Sequence, residues 1–295
     1  RPLASGPTAW TGKVLDRFSV GANARTAARQ SDQDNLDTNL AFGVDRVTLY
    51  LKADLTEQMS VYLDQQVAPG GSLNREAWLQ FKTGNMYLRA GRLFLPFGWR
   101  LEDNSAFVRE GTGVTMNNGD NGLELGFSHN QLNMQLALTN GSGGEGDNDD
   151  GKMLSSRVEW LQPNWRVGFS GLFNDTDRGE RTAYGVFAGL KTGPVNWLFE
   201  HDRIEDEGFS PQDTEQGASL VEANMLLTKG HNLKLTLEAL TFDDDREDRY
   251  RASAVYEYFP IAFTQLRLGV RSRDSDDPNP QFSNEEFFVQ AHVFF

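Results

Sequence analysis

Apolar residues recur at every second position, in runs of about ten, from one end of the chain to the other. That is the period of a strand, whose successive side chains point to opposite faces, and not the 3.6-residue period of a helix. In the run 132–139, Leu132, Met134, Leu136 and Leu138 share one face while Asn133, Gln135 and Thr139 share the other. Val47, Leu49, Leu51 and Ala53 oppose Arg46, Thr48, Tyr50 and Lys52 in the same way, and Leu233, Leu235 and Leu237 oppose Lys234, Thr236 and Glu238. Sixteen such runs are predicted, near 14–24, 42–54, 59–67, 73–82, 86–95, 121–129, 132–140, 152–161, 165–174, 182–191, 195–204, 216–228, 233–242, 249–258, 264–273 and 283–295.

The connections between runs alternate in length. Short ones (55–58, 83–85, 130–131, 162–164, 192–194, 229–232, 259–263) alternate with others, most of them longer, acidic and rich in Gly, Asn and Asp (26–38, 68–72, 101–120, 141–151, 174–181, 202–215, 243–248, 274–281). An even strand count, short turns on one side and long loops on the other predict an all-β fold, a transmembrane antiparallel β-barrel of about 16 strands. One domain is expected over 1–295, with a short N-terminal segment 1–13. A soluble sandwich or propeller also has short strands, but three features oppose it. The runs have the length of a tilted bilayer crossing. Aromatics cluster at both run ends, with Trp160, Trp165, Trp197 and Tyr258 beside short turns and Phe94, Trp99, Phe173 and Tyr250 beside long loops. Finally, Phe287, Val289, Ala291, Val293 and Phe295 alternate up to a terminal phenylalanine, an ending that resembles the recognition signal of outer-membrane barrels.

Composition sharpens this. With 38% hydrophobic residues and a mean hydropathy of −0.53, the chain has no apolar stretch near the 20 residues that a spanning helix needs. The absence of cysteine removes disulfides, thiolate metal sites and thiol catalysis. A pI near 4.7 argues against a nucleic-acid partner. The net charge of −14 conceals two populations: the eight long connections sum to −22, which leaves +8 for the strands and short turns. Because Arg1 opens the chain without a leader, the sequence is expected to be a mature, exported protein whose signal peptide has been removed.

Few residues point to catalysis. His129, His201, His231 and His292 have no metal-pair spacing. Gly168-Phe169-Ser170-Gly171 lies mid-strand instead of at a nucleophile elbow. His201-Asp202 is the one adjacent pair that could serve a rim hydrolase. The acidic run 145–151 has the wrong register for a calcium loop. No enzyme activity, cofactor or metal is expected.

The informative segment is Ala90-Gly91-Arg92-Leu93-Phe94-Leu95-Pro96-Phe97-Gly98-Trp99-Arg100, which ends the fifth run and opens the longest connection. A long connection without periodicity is usually functional or disordered; here residues 96–120 are expected to fold inward as a constriction loop. The Gly-Arg-x-Phe-x-Pro-Phe-Gly run at 91–98 resembles porins of the phosphate-selective O/P type and their relatives. The resemblance implies a passive channel, assembled as a homotrimer. It does not extend to phosphate itself.

By parity, Arg46, Lys52, Arg89, Arg157, Arg166, Lys191, Lys234, Arg251, Arg267 and Arg271 point into the barrel; facing lipid at mid-depth would cost about 2–4 kcal/mol for each. Arg89 and Arg267, with Arg100 and Arg109 of the loop, are expected to form a basic side facing Glu102, Asp103 or Glu110, although cross-strand pairing on the wall is an equal reading for any one of them. The expected function is passive diffusion of ions and small hydrophilic solutes through a water-filled pore in the bacterial outer membrane. The expected partners are outer-membrane lipid and lipopolysaccharide. The competing readings are a barrel sheath around a haem-protein partner in a redox conduit, and a barrel-rim enzyme.

Overall fold

The strand period is realised almost without exception in the computed structural model, which describes residues 12–15, 17–33, 36–144, 146–147, 149–208, 213–277 and 283–295. The strands are β1 (Gly12–Leu15), β2 (Phe18–Gln33), β3 (Leu36–Asp54), β4 (Met59–Ala68), β5 (Leu73–Thr83), β6 (Met86–Leu93), β7 (Asp120–His129), β8 (Leu132–Thr139) and β9 (Met153–Leu161). They continue as β10 (Trp165–Thr176), β11 (Gly179–Thr192), β12 (Val195–Glu207), β13 (Thr214–Thr228), β14 (His231–Phe242), β15 (Arg249–Tyr258), β16 (Thr264–Ser275) and β17 (Asn284–Phe294). Each from β2 to β17 pairs antiparallel with its neighbour in sequence, and β17 pairs with β2, from Asn284 opposite Gln33 to Phe294 opposite Asn23. The sheet is therefore a closed barrel of 16 strands. β1 adds no seventeenth position: it pairs with β2 at Ser19 and Val20, prolonging the ladder that β17 leaves at Asn23.

The two faces are inverted relative to a soluble protein. Leu51, Leu79, Leu125, Leu136, Val167, Phe169, Leu237, Leu268 and Val289 are exposed on the outer face, whereas Asp64, Glu124, Glu159, Glu200, Glu222, Glu238, Arg251 and Gln290 are buried on the inner one. Apolar solvent outside and water inside produce this arrangement, and it fits a transmembrane barrel.

Three expectations are corrected. The first two strands run much further than predicted, so most of 26–38 is strand, and only residues 34–35, outside the described ones, separate β2 from β3. Connection 174–181 likewise shrinks to Asp177 and Arg178 between β10 and β11. In both places the polar alternation continues past the apolar belt, where hydropathy no longer marks it. Thirdly, the segment between β6 and β7 contains a short helix, α1 (Phe107–Thr112), closed by Gly113 at φ 72°. Of the N-terminal segment 1–13, only Gly12 and Lys13 lie among the described residues.

Candidate functional site on the inner wall

Residues 94–119 pack against the inner face of the barrel through an apolar cluster. Leu95, Phe97, Ala106, Phe107, Val108 and Val114 meet Met153, Leu172, Ala183, Ile204, Ala218, Leu220 and Leu240 of β9–β14. Those wall residues occupy positions that alternation assigns to the polar face, and several stand directly opposite one another: Leu172 opposite Ala183, Ala183 opposite Ile204, Ala218 opposite Leu240. A ring of polar groups fixes the segment in place. Glu238 accepts from the Phe107 backbone N–H at 2.7 Å and pairs with Arg251, which donates to the Ser105 carbonyl at 2.7 Å. Arg109 pairs with Glu200, whose carboxylate also accepts from the Trp99 N–H at 3.2 Å. Gly98 donates to Ser170 Oγ at 2.8 Å and accepts from Arg157 Nε at 2.9 Å. Its φ of 50° and the Glu200 carboxylate lying where a Cβ would stand both require glycine there.

Two adjacent acidic residues of this segment reach in opposite directions. Glu102 pairs with Arg25 of β2. Asp103 pairs with Arg271 at 2.9 Å and Arg251 at 3.4 Å, from β16 and β15. Burial would raise the Glu102 carboxyl, but the charge and hydrogen bond of Arg25 outweigh it and hold the group below its ordinary value. Asp103 is likewise pushed up by burial, then brought well below the usual range by Arg271 and Arg251. Arg46 stands near Glu102 and Arg75 on the first side, and Arg273 near Asp103 on the second. Two irregularities of register supply part of this set. Asp45 is skipped where Arg25 faces Arg46 and Thr26 faces Val44, and Arg75 is skipped where Asp64 faces Glu76 and Gln65 faces Asn74. A bulge re-aims a side chain: Arg75 becomes 1% exposed, donates to the Met116 carbonyl at 3.0 Å and lies 3.8 Å from Asp64.

The residues expected from sequence fall into three groups. Arg46, Arg100, Glu102, Asp103, Glu110 and Arg271 gather around the segment. Arg100 pairs with Glu76, Glu110 is exposed near Arg249 and Arg273, and Arg46 and Arg273 have no ion pair among the described residues. Arg109 is a correction, because it is fully buried between Glu200 and Asp202 and lines no passage. Arg89 and Arg267 are a second correction, standing instead towards the short turns in wall pairs, Arg89 with Glu124 at 3.0 Å and Arg267 with Glu257 at 3.3 Å. Lys52 (Asp54, 2.8 Å), Arg166 (Glu159, 3.7 Å) and Lys234 (Glu222, 3.0 Å) are also wall pairs. Sequence reasoning did not select Arg25, Arg75 or Arg273, and it placed Arg251 on the inner wall without assigning it to the narrowing. Arg25 was hidden by ending the first run at 24, and Arg75 by the bulge.

Below and around the segment, a repeated device presents arginines from the wall. Tyr87, Phe187 and Phe288 each lie across a glycine of the adjacent strand, Gly126, Gly168 and Gly269, at positions where a Cβ would enter the ring. An arginine covers each ring: Arg89 at 4.5 Å from Tyr87, Arg157 at 4.5 Å from Phe187 and Arg271 at 5.9 Å from Phe288. The flat ring gives the guanidinium a cation–π platform while keeping the wall thin.

Among the described residues, the pair singled out for catalysis does not come together. His201 bonds Ser219 Oγ on the outer face while Asp202 faces inward to Arg109, so the adjacent pair cannot act together. Among the described residues no cluster of His, Asp and Glu could hold a metal ion; Glu145 and Asn148 of the acidic run lie outside them.

No protein-family model matches the chain, and no curated protein does. Solved structures do. An anion-selective porin from Comamonas acidovorans aligns with a TM-score of 0.76 at 12% identity, over 94% of this chain and 99% of that one. OmpTdeltaL8, a loop-deletion mutant of an outer membrane protein of Vibrio cholerae, gives 0.73 at 12%, over 95% and 100%. The outer membrane channel DcaP of Acinetobacter baumannii gives 0.69 at 12%, over 94% and 97%. At such identities the likeness is one of fold: this chain has the barrel architecture of outer-membrane porins.

Proposed function

We propose that this protein is a porin of the bacterial outer membrane, through which ions and small hydrophilic solutes diffuse passively. The observation that carries the reading is the segment 94–119, packed on one side of the inner wall with Glu102 and Asp103 reaching arginines of β2 and of β15–β16. A loop so placed narrows a water-filled barrel, and charges of both signs around the narrowing filter and orient solutes. Glu102 and Asp103 are paired, whereas among the described residues Arg46, Arg273 and the exposed Glu110 stand in no ion pair, an excess of positive charge that favours anions at the narrowing. The acidic loops gather cations at the mouth. The outer apolar face meets lipid and lipopolysaccharide, and the assembly is a homotrimer, in keeping with the trimer form solved for the Vibrio cholerae protein OmpT. The chain performs no catalysis. A sheath around a haem protein is disfavoured because the apolar cluster of the loop already occupies one side of the interior.

The test is planar-bilayer recording. Purified protein alone should give discrete ohmic steps, and reversal potentials in a KCl gradient should show anion preference. Arg46→Ala with Arg273→Ala should lower that preference. A silent barrel that co-purifies with a haem protein would overturn the reading.

A further inference from the structure

The barrel wall is paired all the way round but not all the way up. The ladder between β3 and β4 ends where Val47 faces Ala68, and among the described residues no strand pairs with residues 36–46 on that side. β2 holds their other side, up to Leu36 opposite Gln33. The upper half of β3 is therefore an open edge, a row of backbone N–H and C=O groups that another chain can complete. Its side chains are equally bare. Leu40, Phe42 and Val44 on the outer face are 58%, 80% and 43% exposed, Ala41 and Gly43 on the other face are exposed as well, and nothing lies within 4 Å of a Cβ built on Gly43.

The sequence of this edge selects the occupant. Residues 40–44 are Leu-Ala-Phe-Gly-Val, without a charge, beside connections that are mostly acidic. An anionic lipid headgroup finds no cation among those five residues, and lipid tails offer neither donor nor acceptor to an open edge. Protein supplies both an apolar seat and polar backbone. This chain carries such a seat itself. On the outer face of β14–β17 small residues leave a groove of about 850 Å³, floored by Ala252, Ala254 and Ser272 and bordered by Leu237, Val270 and Phe287. The groove reaches Gln30 of β2, which stands opposite Leu40, so it ends level with the apolar knob. From the groove floor on β15 and β16 to the open edge of β3 is three to four strands of the sixteen, roughly a fifth of the circumference, and a closed three-fold ring needs its two contacts a sixth of a turn apart. Each barrel in such a ring gives its knob to one neighbour and its groove to the other.

We propose that the β2–β3 hairpin is the strap of the assembly, seating Phe42, with Leu40 and Val44, of one copy in the β14–β17 groove of the next, head to tail around a three-fold axis. The contact rests on the homotrimer of the porin reading and names its surfaces. Seating Phe42 covers the most exposed large apolar side chain among the described residues.

The chain has no cysteine, so cross-linking reads the contact directly. Purified protein in mild detergent, carrying both Phe42→Cys and Ala252→Cys, should be joined by a short bis-maleimide into species of two and three chains, whereas either substitution alone should leave single chains. Phe42→Asp should convert the trimer, weighed by native mass spectrometry, to a monomer that keeps the heat-sensitive gel mobility of a folded barrel; where that variant does not fold, the cross-link decides. A trimer in which the two cysteines are not joined would overturn the strap and leave the trimer standing. Joining by Phe42→Cys alone would overturn the head-to-tail arrangement, because edge would then be meeting edge. An unsubstituted protein that is monomeric would overturn the trimer and the strap together, and cross-linked chains that give no KCl steps would overturn the porin reading while the strap stood.

Discussion

Among single residues, glycine has an unusual part here. Gly126, Gly168 and Gly269 do not serve turns; they leave room for a ring to lie flat and carry an arginine. Gly168→Ala should therefore lift Phe187 and the stacked Arg157 from the wall, at an overpacking cost of about 1–3 kcal/mol, and single-channel steps should shrink. Unchanged steps with unchanged thermal stability would mean that the ring is free to move aside. Glu102 and Asp103 give a second prediction. Both carboxyls are depressed below their ordinary value, so their attachment to arginine is complete above the ordinary carboxylate pKa and is lost only as pH falls through the depressed one. Conductance and ion preference should hold steady from neutral pH down to about pH 5. A transition in that window that disappears in Glu102→Gln would show that the carboxylate is not held low.

At the scale of elements, the strands and short turns were legible because alternation against lipid is a strict two-residue code. The turns 55–58, 130–131 and 162–164 fall where the code breaks. The bulges were not legible, since skipping Asp45 or Arg75 shifts parity by one without altering composition. Consequently the arginines around Glu102 were only half foreseen. The seat of the loop did leave a trace: Leu172, Ile204, Leu220 and Leu240 are apolar residues on the polar parity of nearby strands. Read across strands instead of along them, such exceptions mark where an inner segment docks. Because that docking is an apolar core, Phe107→Ala should cost about 3–5 kcal/mol locally. Larger, noisier conductance steps and protease cleavage within 94–119 are expected, with the barrel itself still folded.

For the whole molecule, charge is segregated along the chain: the stretches centred on the long connections, including the outer ends of the strands that flank them and the inner segment, sum to −22, against +8 for the remainder. The two regions should answer salt differently. Exposed mouth charges are screened beyond about 3 Å at 1 M but act over some 30 Å at 0.01 M; the arginines near Glu102 are partly buried and less sensitive. At a constant concentration ratio, anion preference should grow as both baths are made more concentrated. A preference that falls with salt would place the decisive charges at the mouth.

The ladder between β17 and β2 has a consequence in time. Every other neighbouring pair in the ring consists of strands consecutive in the chain, so each can zip locally as a hairpin or a looped pair. This one ladder joins Asn284 to Gln33, across most of the chain's length, and contacts so distant in sequence form slowly. Closure is then the last and slowest event of folding, and until it happens β2 and β17 are bare edges, ready to pair with another protein. A catalyst of insertion that recognises the last strand would hold the one edge that must not meet the wrong partner.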